Sequence, residues 1–269
     1  MAKGIKFDST RCIACHACQV SCKRWWELKA EDTTLSAAKG TEWTNPPDLT
    51  PRTWLLVKFV GTGEGENFRW RFAQERCMHC QNPTCRNVCP VQAISKYDEG
   101  PVVIDVEKCI GCKYCVAVCP FRIPRYDPVT NKAYKCTMCA DRIREGMEPA
   151  CVQSCPTKAL EFGEREVMLA KAVEKRDMIN GYLYGDDENE GTSVFMITDV
   201  PPEQLGYHKV ALTQPTTMEI KDFVEPAGGV LTLAAIGAMA GLSYISHRRE
   251  KAKEEEEKAV AKPEGGVQK

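Results

Sequence analysis

The 114 residues that end this 269-residue chain contain no cysteine, whereas all sixteen of its cysteines lie between Cys12 and Cys155. Histidine is scarce, with four residues, and neither sign of charge is in excess: 36 Lys and Arg against 37 Asp and Glu leave a formal net charge of −1. Without a basic field to draw a polyanion, nucleic acid is not an expected partner. The start, Met1 to Ser9, lacks the apolar core of a secretory signal, which argues against the disulfide framework of a small secreted protein. Residues 156–224 hold no recognisable catalytic constellation. Gly61-Thr62-Gly63-Glu64-Gly65 lacks the Lys and the following helix of a phosphate loop; between the strand-like Trp54–Val60 and the alternating Phe68–Phe72 it reads as a hairpin turn. With Gly counted and Tyr left out the apolar share is about 47%, falling to about 41% without the cysteines, so something other than hydrocarbon is expected to fill part of the interior. The length itself predicts about two domains.

The cysteines fall into four groups of four. Group one (Cys12, Cys15, Cys18, Cys22) and group three (Cys109, Cys112, Cys115, Cys119) share the spacing C-x2-C-x2-C-x3-C. Group two (Cys77, Cys80, Cys85, Cys89) widens the middle gap to x4, and group four (Cys136, Cys139, Cys151, Cys155) widens it to x11. Groups two, three and four each end in Pro, at Pro90, Pro120 and Pro156. This run is the bacterial ferredoxin signature, in which three thiolates wrap one iron–sulfur cube and the fourth reaches another. The x2 spacings bend the chain around one small cluster, and the Cys after x3 is expected to begin a helix directed at its neighbour. Structural zinc sites join two separated C-x2-C pairs, a pattern that groups one and three do not match. Sixteen thiolates then serve four 4Fe–4S clusters.

Exchange of the fourth cysteine requires groups to work in pairs. Groups two and three are adjacent, and Val91–Lys96, the turn Asp98-Glu99-Gly100-Pro101 and Val102–Asp105 form a short predicted hairpin between them. One cluster is expected on Cys77, Cys80, Cys85 and Cys119, its partner on Cys109, Cys112, Cys115 and Cys89. Groups one and four remain, giving Cys12, Cys15, Cys18 with Cys155, and Cys136, Cys139, Cys151 with Cys22. A sequential pairing, one with two and three with four, is the formal alternative. Cations near a cluster ease its reduction, and Lys23, Arg24, Arg76, Arg86, Lys108, Lys113, Arg122, Lys135 and Arg142 all lie close in sequence to a cysteine. His16 and His79 sit inside the loops, but each group already supplies four cysteines, so neither is expected to ligate.

Residues 226–246 form 21 consecutive positions without a charge, long enough for one membrane-spanning helix. Gly237 and Gly241 give it a G-x-x-x-G face for a second membrane helix. His247-Arg248-Arg249 follows at once, so the positive-inside rule predicts a cytoplasmic tail over 247–269 and a cluster-bearing body on the periplasmic side of the inner membrane, exported with a partner that carries the signal. A glutamate- and lysine-rich tail of this kind is expected to stay solvated.

Four clusters with no substrate pocket describe a wire. The stretches Cys12 to Cys22, Cys109 to Phe121 and Lys135 to Arg142 resemble the four-cluster electron-transfer subunits of the molybdopterin oxidoreductase family, over residues 5 to 165. Trp25-Trp26, Asn45-Pro46-Pro47-Asp48-Leu49-Thr50 and the C-terminal span are similar to the iron–sulfur (beta) subunits of membrane-bound formate dehydrogenases. The resemblance implies an α+β fold of two nested bacterial-ferredoxin-like modules related by a pseudo-twofold, the nested ligation given above, and one C-terminal transmembrane helix. Residues 1–22 with 134–165 would form the outer module, 77–133 the inner one, 23–76 an insertion and 166–225 an accessory segment. It implies a non-catalytic subunit that passes electrons from a molybdenum or tungsten pterin subunit to a membrane cytochrome b and quinone, or to cytochrome c, with membrane lipid around the span. The equivalent subunit of a nickel–iron hydrogenase, or of a polysulfide, dimethyl sulfoxide or nitrite reductase, is the alternative.

Overall fold

The computed structural model describes residues 1–32 and 44–210. The chain opens with β1 (Lys3–Asp8), passes through the first cysteine loop into α1 (Ala17–Trp25), and forms a long hairpin of β2 (Leu55–Thr62) and β3 (Arg69–Arg76). Short elements then carry the middle groups: α2 (Thr84–Asn87), the hairpin β4 (Ile94–Lys96) and β5 (Val102–Ile104), α3 (Tyr114–Val118), and the hairpin β6 (Arg125–Asp127) and β7 (Lys132–Tyr134). Both hairpins expected between cysteine groups, at 54–72 and 91–105, are present. There follow α4 (Ala140–Arg144), α5 (Ala150–Gln153), β8 (Leu160–Glu164), α6 (Arg165–Ile179), β9 (Tyr182–Tyr184) and β10 (Val194–Thr198).

One four-stranded sheet, ordered β8-β1-β10-β9, joins the start of the chain to residues more than 150 positions away. β1 runs antiparallel to β8 and parallel to β10. β10 (VFMIT) is buried at every position, and its unbroken apolar run suits a central strand covered on both faces. Alternation divides those faces: Ile5, Phe7, Val194 and Met196 join the core that contains the cysteines, while Phe195 and Ile197 pack with Met168 and Ala172 of α6. Gly4 lets α6 approach, since a Cβ there would stand 3.1 Å from Arg165 Cα. Polar residues of β1 on the helix side are paired, Lys6 with Glu161 at 2.8 Å and Asp8 with Lys175 at 3.6 Å.

Two local differences from expectation have simple causes. The helix expected over Glu164–Lys175 starts one residue later, because Glu164 still pairs with Lys3 in the sheet, and runs to Ile179, where Asn180 turns left-handed (φ 49°) and caps it. The strand expected at Ser193–Thr198 begins at Val194. The segment after 165 contributes two of the sheet's four strands. The expected span at 226–246 lies outside the described residues; among those described, no helix is long and apolar enough to cross a membrane.

Candidate metal centres

The four loops repeat one conformation. In every group the residue before the second cysteine has positive φ: Ala14 (53°), His79 (50°), Gly111 (72°) and Met138 (57°). Such a reversal turns neighbouring N–H groups to one concave side, the backbone nest that holds anions and iron–sulfur sites. The Ala14 and Met138 N–H groups donate to Cys12 Sγ and Cys136 Sγ at 3.4 and 3.3 Å. The third cysteine is the second residue of a short helix in each case: Cys18 in α1, Cys85 in α2, Cys115 in α3 and Cys151 in α5. This corrects the expectation that the fourth cysteine starts the helix; x3 spacing is one α-turn, so the third cysteine opens the turn and the fourth closes it. Where Pro follows, the third residue after the cysteine is left-handed, at Gln92, Arg122 and Lys158. The next N–H then returns to the thiol in two groups, Ala93 to Cys89 at 3.2 Å and Ile123 to Cys119 at 3.5 Å. Group one has Lys23 in place of Pro, and α1 runs on to Trp25.

The groups meet in pairs. α1 packs on α5, with Ser21 Oγ donating to Ala150 O at 3.1 Å and 2.8 Å from Ser154 Oγ, and α2 packs on α3. One hollow is ringed by Cys12, Cys15, Cys18 and Cys155. A second is ringed by Cys89, Cys109, Cys112 and Cys115. Each combines three thiols of one group with the fourth of its paired group. The other eight lie deeper: Cys22 faces Cys136, Cys151 and Cys139, and Cys80 faces Cys77, Cys119 and Cys85. Between quartets the third cysteines approach. Cys18 is pushed up to about 12 by burial and then by Cys151, and Cys115 to about 12 by burial and then by Cys85. Cys15 and Cys112, one from each hollow, are exposed.

These residues suit iron–sulfur clusters better than other groups. No two of the sixteen thiols are disulfide-bonded. A tetrahedral zinc, with Zn–S near 2.3 Å, would draw its sulfurs to within about 4 Å of one another, yet among the described residues no three His, Cys, Asp or Glu converge on one ion. The thiols stand around spaces instead. Buried donors are also left over. His79 Nδ1 accepts the Val102 N–H at 2.9 Å, so in the neutral ring Nε2 carries the proton, and it has no partner; Arg76 Nε has none either. Burial, with Lys135 and Arg76 nearby, holds His79 neutral. Buried N–H groups without acceptors are costly and fit a site whose acceptors are sulfides. Burial and mutual repulsion raise the thiols, Cys85 and Cys139 to about 12, a cost that iron ligation offsets by deprotonating them outright.

Of the nine basic residues near cysteines, Arg24, Arg86, Lys108, Lys113 and Arg122 are exposed, and Lys23 pairs with Glu31. Arg142 is buried but donates to Glu148 O and Gln153 Oε1. Only Arg76 and Lys135 are both buried and directed at thiols. His16 stacks on Phe59 and meets Gln19 Oε1 at 3.1 Å. Sequence reasoning missed Gln74, whose Nε2 donates to Cys18 Sγ at 3.5 Å. The clue was there: Gln74 and Arg76 place two polar side chains at alternate positions of a strand that leads into Cys77.

Family models for a 4Fe-4S dicluster domain match residues 11–93 and 68–165. The formate dehydrogenase-O iron-sulfur subunit of Escherichia coli K12 is 37% identical over 262 residues, covering 93% of this chain and 85% of its own length. The chain belongs to the formate dehydrogenase iron-sulfur subunit family. The Haemophilus influenzae subunit is 36% identical over 89% of this chain and 78% of its own length. The beta subunit of formate dehydrogenase 2 (cytochrome c-553) of Nitratidesulfovibrio vulgaris is 39% identical over 65% of this chain and 82% of its own. A more distant relative, the hydrogenase-2 operon protein HybA of Escherichia coli O157:H7, is 29% identical over 92% of this chain and 85% of its own. As a member of the family the chain is a non-catalytic, electron-transferring subunit that carries 4Fe–4S clusters.

Proposed function

We propose that this chain conducts electrons away from a molybdenum- or tungsten-pterin subunit that oxidises formate, through four 4Fe–4S clusters, to a cytochrome b or cytochrome c acceptor. The observation that carries the reading is the pair of hollows, each ringed by three thiols of one group and the fourth of another, in a chain of this family. The proposed ligands are Cys12, Cys15, Cys18 and Cys155 for cluster 1; Cys77, Cys80, Cys85 and Cys119 for cluster 2; Cys109, Cys112, Cys115 and Cys89 for cluster 3; Cys136, Cys139, Cys151 and Cys22 for cluster 4. Each cluster, when bound, supplies a one-electron carrier.

The residues of this chain do the rest. The proximity of Cys18 to Cys151 and of Cys85 to Cys115 links cluster 1 to 4 and cluster 2 to 3, and Lys135, near Cys77 and Cys85 and also Cys136, links 4 to 2, which supports the order 1-4-2-3. Clusters 1 and 3 are the proposed ends, each with an exposed cysteine and exposed apolar neighbours: Ile13 and Val20 beside one, Ile110 and Tyr114 beside the other. We read residues 226–246 as a membrane anchor set in lipid, with the cluster-bearing body on the periplasmic side, on the strength of the uncharged run and the basic residues after it.

The test is to purify the complex from native membranes through this chain and measure formate-dependent reduction of a viologen dye. Activity in a brown complex is the expected result. A brown complex inactive with formate but active with hydrogen would replace the formate reading with the hydrogenase one, which the 29% identical relative favours.

A further inference from the structure

The two cations buried against thiols sit in parallel places in the sequence. Arg76 immediately precedes Cys77, the first cysteine of group two, and Lys135 immediately precedes Cys136, the first of group four. Arg76 turns away from the quartet its neighbour is assigned to, and Lys135 lies between that quartet and the other. Arg76, 1% exposed, donates from Nη1 to Cys151 Sγ at 3.3 Å and from Nη2 to Cys136 Sγ at 3.4 Å, and also faces Cys22. Lys135, 4% exposed, donates to Val102 O and to Cys136 O, and its charge acts most on Cys77 and Cys85 and then on Cys136; Cys119 feels it too. Neither cation has a carboxylate partner among the described residues. Arg76 is the last residue of β3, and Lys135 is the residue that follows β7.

We infer that Arg76 and Lys135 are exchanged electrostatic partners across the module junction, Arg76 setting the potential of cluster 4 and Lys135 that of cluster 2. The inference rests on the ligand assignment proposed above. A thiolate-ligated cluster is anionic, and reduction adds a further negative charge; away from water that charge is disfavoured unless a fixed cation faces it. Clusters 1 and 3 reach the surface through Cys15 and Cys112, where water does this work. Clusters 4 and 2 lie inside, and each receives one buried cation.

The experiment uses the intact complex carrying Arg76→Met or Lys135→Met, and the charge-retaining Arg76→Lys and Lys135→Arg. Iron and acid-labile sulfide show that clusters are loaded, and an EPR-monitored redox titration reads their potentials. Cys139→Ser and Cys80→Ser, made separately, mark the potentials of clusters 4 and 2. Arg76→Met is expected to lower the potential marked by Cys139→Ser, and Lys135→Met that marked by Cys80→Ser, with the charge-retaining variants recovering most of each shift and added salt changing neither. Shifts in the opposite pairing, or none in a fully loaded complex, overturn the exchange. If a methionine variant loses iron, its charge-retaining counterpart carries the test, and a shift confined to the other cluster's marker overturns the inference. Failure of the ligand assignment reads differently: Cys22→Ser and Cys139→Ser would then perturb two different clusters whatever the cation variants do.

Discussion

Gly111 and Ala14 occupy the same place in two loops of identical spacing, and their surroundings differ. At Gly111 (φ 72°) a Cβ would stand 2.3 Å from Asn131 O and 2.5 Å from its Oδ1, so the loop and the turn between β6 and β7 cannot both keep their positions. Ala14, at φ 53°, already carries a Cβ in a buried place. Gly111→Ala should therefore cost more than about 1 kcal/mol and deplete one cluster, seen as lower iron content and one missing EPR signal, whereas Ala14→Gly should leave both unchanged. The glycine was visible in the sequence as a residue between two cysteines. Its necessity was not, because the clashing carbonyl belongs to a hairpin twenty residues away.

At the scale of elements, the helices that hold the third cysteines are too short to be stable alone, α2 and α5 having four residues each. They persist because they pack as α1 on α5 and α2 on α3. The sheet has the same dependence on α6, through Phe195 and Ile197 on Met168 and Ala172. Phe195→Ala opens a cavity at a fully buried position and should destabilise the protein by about 3–5 kcal/mol. A lower midpoint in thermal or denaturant unfolding checks this, with the EPR spectrum of the remaining folded protein unchanged because Phe195 faces away from the cysteines. An altered cluster spectrum would mean the two faces of the sheet are not independent.

Across the whole molecule, the main core is as much cysteine as hydrocarbon in places: Cys22, Cys77, Cys136, Cys151 and Cys155 lie among its buried members. Removing the clusters removes what those side chains surround, and folding and metal binding are coupled in such sites. Treatment with an iron chelator and reductant is expected to abolish the cooperative thermal transition and the near-UV circular dichroism of the cluster domain. A metal-free chain that kept its full transition would show a core able to stand on hydrocarbon alone.

Spacing along the chain was enough to read the chemistry and the hairpins, though not which cysteine opens each helix. Cysteine spacing, Pro after three of the four groups and the hairpins at 54–72 and 91–105 are properties of neighbouring residues, and local steric rules suffice to read them. The sequence left Arg76 and Lys135 undistinguished among nine basic residues, it offered Gln74 only as a polar residue in a strand leading to Cys77 and not as a thiol donor, and it gave no sign of β10 beside β1. Those were decided by the tertiary structure, because burial and partner choice depend on which distant segments meet. Arg76 faces Cys151 across seventy-five positions of chain, and no spacing rule reaches that far.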